Sequence, residues 1–464
     1  MQLAEELARR SAGLRFEDLP AAAVHWAKVG ILDTVGVTVA GSVEPAAQIL
    51  RHAISPGSGP SLVFGSDDRT GVLDAALING TAAHALDFDD CNNTLGGHPS
   101  APILPALFAL ADERPADGRA VITAYVAGFE TECKLALGVN FHHYSKGWHA
   151  TATLGVHGTA AAACHLLHLD VERTATAIAI ASSLASGIKA NFGTMTKPLH
   201  VGHCARNGLF AALLAAQDFT ANAGAFEHNQ GFLDVFNGPG TYDTGRILAH
   251  WGAPFDVVEP GIAIKQYPCC GSTHPALDVM LDIARRGELE PQKVARIECW
   301  THARRLEHTN RPDPRSGLEA KFSVQYCLAR ALTDRAIRIE HFEGEAFRDP
   351  AVRAILPRVH AAAYTTAQFP ADNHLGAEVK VATVDGKVLA GKIDEALGRT
   401  SANPLPTERL REKFENCIGR ALPGLRAKAL ADMVERLDTL ADMRTLSEFL
   451  CGPPAGRVRQ AHFG

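Results

Sequence analysis

Three carboxylates stand almost together in the segment HALDFDDCNNTLGGHPSAP: Asp87, Asp89 and Asp90, with His98 following a Gly-Gly pair and directly preceding Pro99. Proline there opens a helix. A helix N-terminus presents unpaired N–H groups and partial positive charge, which attract carboxylates. An imidazole at that position can give or take a proton beside a bound anion. The arrangement recurs. Lys197 precedes Pro198 in GTMTKPLHVGHCARNG, with His200, His203 and Arg206 on the first turns that follow, and His274 precedes Pro275 in KQYPCCGSTHPALD. His149 follows Trp148 at the start of the Ala-rich stretch after NFHHYSKGW. Titratable groups set before helix starts predict that these starts converge on one acid–base pocket for an anionic substrate.

Plainer readings stand beside this one. Asp87–Asp90 can cap a helix or hold a surface cation, His98 can be a loop residue, and Lys197 a solvated lysine. Thr194, Met195 and Thr196 do not resemble a charged surface, however, and helix dipole, neighbouring imidazoles and burial would fit Lys197 for acid–base duty. Cys269 and Cys270 beside Tyr267 fit packing residues in a tight turn better than a nucleophile. His142 and His143 read as surface residues, and His157, on a crowded helix, as core. Metal is the main rival in a chain with 21 histidines, yet no HExxH or HxH motif lies near these segments, and His200 and His203 have no carboxylate on their face. Neither GxxxxGK[ST] nor a GxGxxG between strand and helix is present, so the reading is no metal and no nucleotide cofactor.

These segments need a scaffold. The chain has 464 residues, enough for two or three domains, with 46% hydrophobic and 21% charged residues, a globular balance. A net charge of −6 argues against a nucleic-acid partner. Ten dispersed cysteines without a CxxC pair fit a reducing compartment. Glu5, Glu6, Arg9 and Arg10 make the start an amphipathic helix rather than a signal peptide, and no apolar run reaches membrane-spanning length, so a cytoplasmic location is expected. Residues 1 to about 250 read as helix after helix, with Pro20, Pro45, Pro99 and Pro198 at helix starts and 151–168 a buried helix. Val294–Thr301 alternates like a strand, 317–334 is helical, and 377–393 is two alternating runs joined at Asp385–Gly386, a hairpin signal. From about 405 the chain returns to helix and could pack back on the first region. The expectation is a mainly α protein: a helical domain of residues 1–264, an α+β domain of residues 265–402, and a C-terminal helical part of residues 403–464.

Five stretches in order, HALDFDDCNNTLGGHPSAPILPALFALAD, GWHATATLGVHGTAAAA, GTMTKPLHVGHCARNG, YPCCGSTHPALD and GLEAKFSVQYCLA, resemble the MmgE/PrpD family. The resemblance implies a large all-helical domain built from both chain ends, a smaller α+β lid, a cleft between them, and a homodimer. Members include 2-methylcitrate dehydratase, cis-aconitate decarboxylase and iminodisuccinate epimerase, which act on di- or tricarboxylates without metal, flavin or nicotinamide. It implies active-site roles for Asp87, His98, His149, Lys197 and His274, with Tyr326 lining the site. Many members have Thr after DFDD where this chain has Cys91, so Cys91 is expected to border the substrate and alter specificity.

All these reactions build charge on a carbon beside a carboxylate, which fixed cations and helix N-termini stabilise. The expected roles are Lys197 with His200 or Arg206 for carboxylate binding, His98 as principal proton donor or acceptor, Asp87 tuning a neighbouring base, and His149 and His274 completing the relay. The leading expectation is a hydro-lyase of the 2-methylcitrate dehydratase type. An epimerase of an aminodicarboxylate, a cis-aconitate-type decarboxylase and a non-catalytic carboxylate-binding protein are the alternatives.

Overall fold

In the computed structural model, residues 2–286 and 289–453 are described. The first region packs long, nearly all-apolar helices around one another: α1 (Ala21–Gly41), α2 (Val72–Ala85), α3 (Ser100–Glu113), α4 (Gly118–Val139), α5 (Gly155–Leu166) and α6 (Thr196–Ala215). The Ala- and Gly-rich composition here permits close approach. A β-carbon on Gly202 of α6 would lie 2.1 Å from Thr81 Oγ1 and 2.3 Å from the Leu77 carbonyl of α2, so these two backbones touch where larger residues would separate them. Gly128 and Gly158 bring α4 and α5 together similarly. The α2–α6 contact sets the end of one helix, with His84, against the start of the other, with Lys197.

The region departs from the expected run of helices in three places. Ser58–Leu62 (β1) and Arg69–Thr70 (β2) form a small antiparallel pair. The expected helix over 151–168 is broken at Leu154 into Ala150–Thr153 and α5. Beyond Ala215, as far as Gly261, only short turns of helix occur, at Leu233–Asn237, Thr244–Leu248 and Val257–Gly261.

After Lys265 comes α7 (His274–Arg286), then β3 (Val294–Thr301), then α8 (Val324–Asp334), then β4 (Val359–Ala363), β5 (Ala377–Thr383) and β6 (Val388–Ile393). The sheet order is β4-β3-β5-β6, with β3 and β4 parallel and the other neighbours antiparallel. Gly386 takes φ +85 in the β5–β6 turn, as the Asp-Gly pair predicts. The expected helix over 317–334 is two pieces, Gly317–Lys321 and α8, because Ser323 turns its side chain to cap Tyr326 N–H. Strand β4 was not expected: VHAAA offers no alternation, and its pairing with β3 is a distant parallel one.

The tail returns as α9 (Thr407–Ile418), then Leu425–Glu435 and Arg444–Leu450. Leu410, Phe414 and Leu446 share the core of the first helices, and Lys413 reaches Asp33 of α1 at 2.6 Å. A separate apolar core, with Leu277, Ile297, Leu328 and Val379 among its residues, joins α7 and α8 to the sheet. Of the expected C-terminal part, residues 454–464 lie outside the described residues. Among the described residues no helix is long and apolar enough to cross a membrane.

Candidate active site

Helix α2 ends at Ala85, and the chain turns through Leu86–Asp90 with Asp87 at φ +53. A left-handed backbone costs a non-glycine residue on the order of 1 kcal/mol. Three buried lysines hold this turn by consecutive carbonyls. Lys321 Nζ donates to Leu86 O at 2.6 Å, Lys265 Nζ to Asp87 O at 2.7 Å, and Lys413 Nζ to Phe88 O at 2.7 Å.

The turn's side chains form an ionic chain. Lys197 Nζ donates to Asp87 Oδ1 at 2.6 Å and to His84 Nε2 at 2.6 Å, while Lys265 Nζ lies 3.2 Å from Asp87 Oδ2. His84 Nδ1 meets Asp89 Oδ2 at 2.8 Å, and His98 Nδ1 meets the same oxygen at 3.1 Å. These contacts fix His84 as the tautomer that donates from Nδ1 to Asp89 and accepts at Nε2 from Lys197. Behind them, Ser100 donates to Asp90, which faces Tyr125 through that hydroxyl and lies away from the cavity.

Burial opposes charge on every member, and the partners decide the outcome. Asp87 is held well below the usual carboxylate range because Lys197 and Lys265 outweigh its burial. Asp89 is held low against burial by His84 and His98. Burial disfavours the His98 cation, but Asp89 and then Cys91 raise it to about 9, so it is an imidazolium at neutral pH. His84 is pushed down to about 3, with burial the leading cause. Burial, reinforced by Lys197 and His84, also keeps His149 well below the normal imidazole range. Burial would raise the Cys91 thiol, yet His98 and Lys265 bring it down to about 6, with Sγ 3.8 Å from His98 Nδ1.

A cavity of about 470 Å³ lies against this network, room for a small polycarboxylate. Asp87, Cys91, His98, His149 and Lys197 all line it. The helix-start pattern holds with shifts of a residue: Pro99 is the cap of α3, Lys197 sits inside the first turn of α6, and His149 caps Ala150–Thr153.

The other expected site residues lie elsewhere. His274 begins α7 buried behind the wall, its Nε2 3.2 Å from the Cys269 carbonyl and its ring edge-on to Tyr267; the wall itself is Cys270, Gly271 and Ser272. Tyr326 is in the core of the sheet unit, donating to the His341 carbonyl at 2.5 Å. His200 stands behind His149, with the two Nδ1 atoms 3.3 Å apart. Arg206, further along α6, is not part of the lining. His143, read as a surface residue, is fully buried, packed beside the Trp148–Phe236 ring pair and bonded to Asn237 and Thr153. His157 is buried as expected, against Ser182.

Four residues in or beside the site were missed. His84 opens the segment singled out, but inside a mostly apolar helix it carried no mark of its own. Lys265 was a lone cation in the apolar run IAIKQYP. Arg305 and Arg399, far apart in sequence, carried no local signal.

The N-terminal domain model of MmgE/PrpD matches residues 5–244, and the C-terminal domain model matches residues 267–439. The chain belongs to the MmgE/PrpD family. It is 30% identical over 469 residues to cis-aconitate decarboxylase of Homo sapiens, covering 98% of this chain and 96% of that protein. Cis-aconitate decarboxylase of Mus musculus is 29% identical, covering 95% of this chain and 92% of that protein. The Aspergillus terreus protein of the same name is 27% identical, covering 97% of this chain and 96% of that protein.

In this MmgE/PrpD chain, His84, Asp87, Asp89 and His98 each offer a donor atom within 4.8 Å of the others, a grouping with the atom types of a metal centre. The donor set fits a metal poorly. Lys197 already occupies His84 Nε2 and Asp87 Oδ1, and a divalent ion would stand against its ammonium and that of Lys265. The two lysines supply the positive charge at this position.

Proposed function

We propose that this chain is a decarboxylase of an unsaturated tricarboxylate of the cis-aconitate type. The observation that carries the reading is the His98 imidazolium, a buried acid at the cavity wall beside an Asp87 carboxylate gripped by two ammonium groups. The full-length similarity to proteins named cis-aconitate decarboxylase supports decarboxylation over the hydro-lyase expectation.

The chemistry fits those groups. The bond from the departing carboxylate to its methylene carbon breaks, releasing CO2, and its electron pair forms a new double bond. The pair of the original double bond moves to the far carbon, which carries another carboxylate. That carbon takes one proton, giving a methylene-substituted dicarboxylate. His98 supplies the proton, and a proton from solvent restores its imidazolium, which the Asp89 carboxylate stabilises. Lys197 and Lys265 stabilise the charge that develops on the conjugated carboxylate. His149, held neutral, borders the same space without adding a cation. A homodimer belongs to the same reading, as does motion of the sheet unit as a lid.

The test is direct. Purified protein with cis-aconitate in heavy water should release CO2 and yield product with one deuterium on the protonated carbon. His98→Gln should cut turnover by roughly two orders of magnitude or more. Water loss from 2-methylcitrate without CO2 would restore the hydro-lyase reading, and deuterium exchange with no change in carbon skeleton would favour an epimerase. Binding without turnover of any of these acids would leave a carboxylate-binding protein.

A further inference from the structure

Three guanidinium groups, those of Arg304, Arg305 and Arg399, line the same cavity as Lys197 and Lys265. They come from the helix Ala303–Thr309, directly after β3, and from the turn after β6. Among the described residues none of the three is ion-paired. Arg304 is accounted for by stacking, with Cζ 3.8 Å from the centre of the Phe141 ring. The other two are not. Arg305 is 8% exposed and donates from Nε to the His374 carbonyl at 2.5 Å, with no carboxylate opposite its two terminal nitrogens. Among the described residues Arg399 makes no side-chain hydrogen bond, and its Nε is buried without an acceptor.

The acidic residues nearby do not answer this charge. Asp372 and Asp394 are exposed at the mouth, and Glu395 accepts from Thr400 Oγ1 at 3.0 Å. The facing imidazoles add no anion: burial, then Lys189 and Arg305, push His308 down to about 3. Burying an unpaired guanidinium costs several kcal/mol, and a second one beside it adds repulsion. The cost registers on Arg305, brought down to about 9 by burial and then by Arg399 and Arg304. An anion bound between Arg305 and Arg399 would remove it.

The distance suits one small molecule. A β-carbon on Gly271 would lie 3.4 Å from Arg399 Nη1 and 3.7 Å from Lys265 Cε. The bare glycine therefore separates the arginine from the lysine that grips Asp87, leaving open wall where a side chain would stand between two anion sites.

We propose that Arg305 and Arg399 form a second anion subsite that binds the carboxylate on the central carbon of the substrate, the one a dicarboxylate of equal length lacks, and so select tricarboxylates over dicarboxylates. The assignment rests on the decarboxylase reading for its substrate class. A bidentate guanidinium suits a carboxylate held at fixed orientation. It takes the carboxylate-binding role expected, beside Lys197, of His200 or Arg206.

Calorimetry with two unreactive acids tests it without turnover: tricarballylate, a saturated tricarboxylate, and glutarate, a dicarboxylate of similar length. The parent protein should bind tricarballylate at least about tenfold more tightly than glutarate. Arg399→Gln should erase that preference by weakening tricarballylate at least about tenfold while changing glutarate less than about twofold. Arg399→Lys should fall between, because it keeps charge and loses the fork. Thermal melts establish that each variant is folded, and Arg305→Gln repeats the measurement from the other wall. Equal loss for both acids, or an unchanged preference, overturns the subsite. Arginine-dependent preference in a protein that never decarboxylates cis-aconitate keeps the subsite and overturns the activity instead.

Discussion

Replacing Cys91 by serine should loosen the hold of His98, the proposed catalytic acid, on its proton, with little change in shape. The thiol, brought down to about 6, is largely thiolate at neutral pH and lies 3.8 Å from His98 Nδ1. Two unit charges at that distance in an effective dielectric near 20 attract by about 4 kcal/mol. Asp89 remains against the same nitrogen, and water in the cavity would solvate part of what the thiolate leaves. Allowing for both leaves about 1.4 kcal/mol, which makes the imidazolium about tenfold more acidic. The sign follows from the role of acid. In the parent, the active imidazolium is present below about 9 and is lost as pH rises through that value. In Cys91→Ser the basic limb of kcat/KM against pH should therefore begin about one pH unit earlier, while the rate near pH 6.5 stays within about threefold. Continuous CO2 release from cis-aconitate between pH 5.5 and 10 measures this. Alkylation of the Cys91 peptide, followed by mass spectrometry across the same range, should reach half its maximum near pH 6 in the parent. A basic limb that does not move, or a Cys91 that reacts only above pH 8, would refute the ion-pair reasoning.

Lys265→Met should lower turnover at least about 100-fold and cost roughly 3 kcal/mol in urea unfolding, since it leaves Asp87 buried with one ammonium instead of two. Gly202→Ala, far from the substrate, should lower both the melting temperature and kcat, because its methyl group would force α6 off Leu77 and Thr81 and carry Lys197 away from His84. Glu132 is fully buried, neither carboxyl oxygen has a hydrogen-bond partner among the described residues, and burial, then Asp90, keeps it protonated far above the normal range. A carboxyl raised in this way destabilises the fold increasingly as pH rises above its unfolded value near 4.5, so Glu132→Gln should stabilise by about 1 kcal/mol or more at pH 8 and by little at pH 4.5, read from urea midpoints. Dialysis against EDTA should leave the rate unchanged, because ammonium groups already occupy the His84–Asp87 donors; loss of activity restored by a divalent ion would overturn that assignment.

What the sequence disclosed and withheld follows from the range of the forces involved. His98 and Lys197 were legible as cavity residues because a titratable side chain directly before proline marks a helix start, Asp87 because three carboxylates cluster there, and His149 because it follows Trp148 at the start of an Ala-rich stretch. Strands Val294–Thr301 and 377–393 were legible because half-buried strands alternate. His274 carried the same local mark as His98, but whether a helix start faces the cavity depends on packing, and Tyr267 and Cys269 lie against its ring and Nε2. His84 was hidden in a mostly apolar helix whose last turn alone reaches the site. Lys265, Arg305 and Arg399 needed the fold itself to bring them together.

The lysines on the Leu86, Asp87 and Phe88 carbonyls bear on how this protein can vary. They are drawn from three widely separated stretches of chain, at residues 265, 321 and 413, yet they terminate on consecutive peptide groups. Of the three, only Lys265 borders the cavity. A mutational scan scored by growth or turnover would therefore rank Lys321 and Lys413 with the reactive residues, though neither meets the substrate. A chimera that exchanged its C-terminal helices without keeping Lys413 would fold its core and lose the shape of a loop hundreds of residues upstream. Recombination between relatives is constrained accordingly, to crossovers that carry all three lysines together.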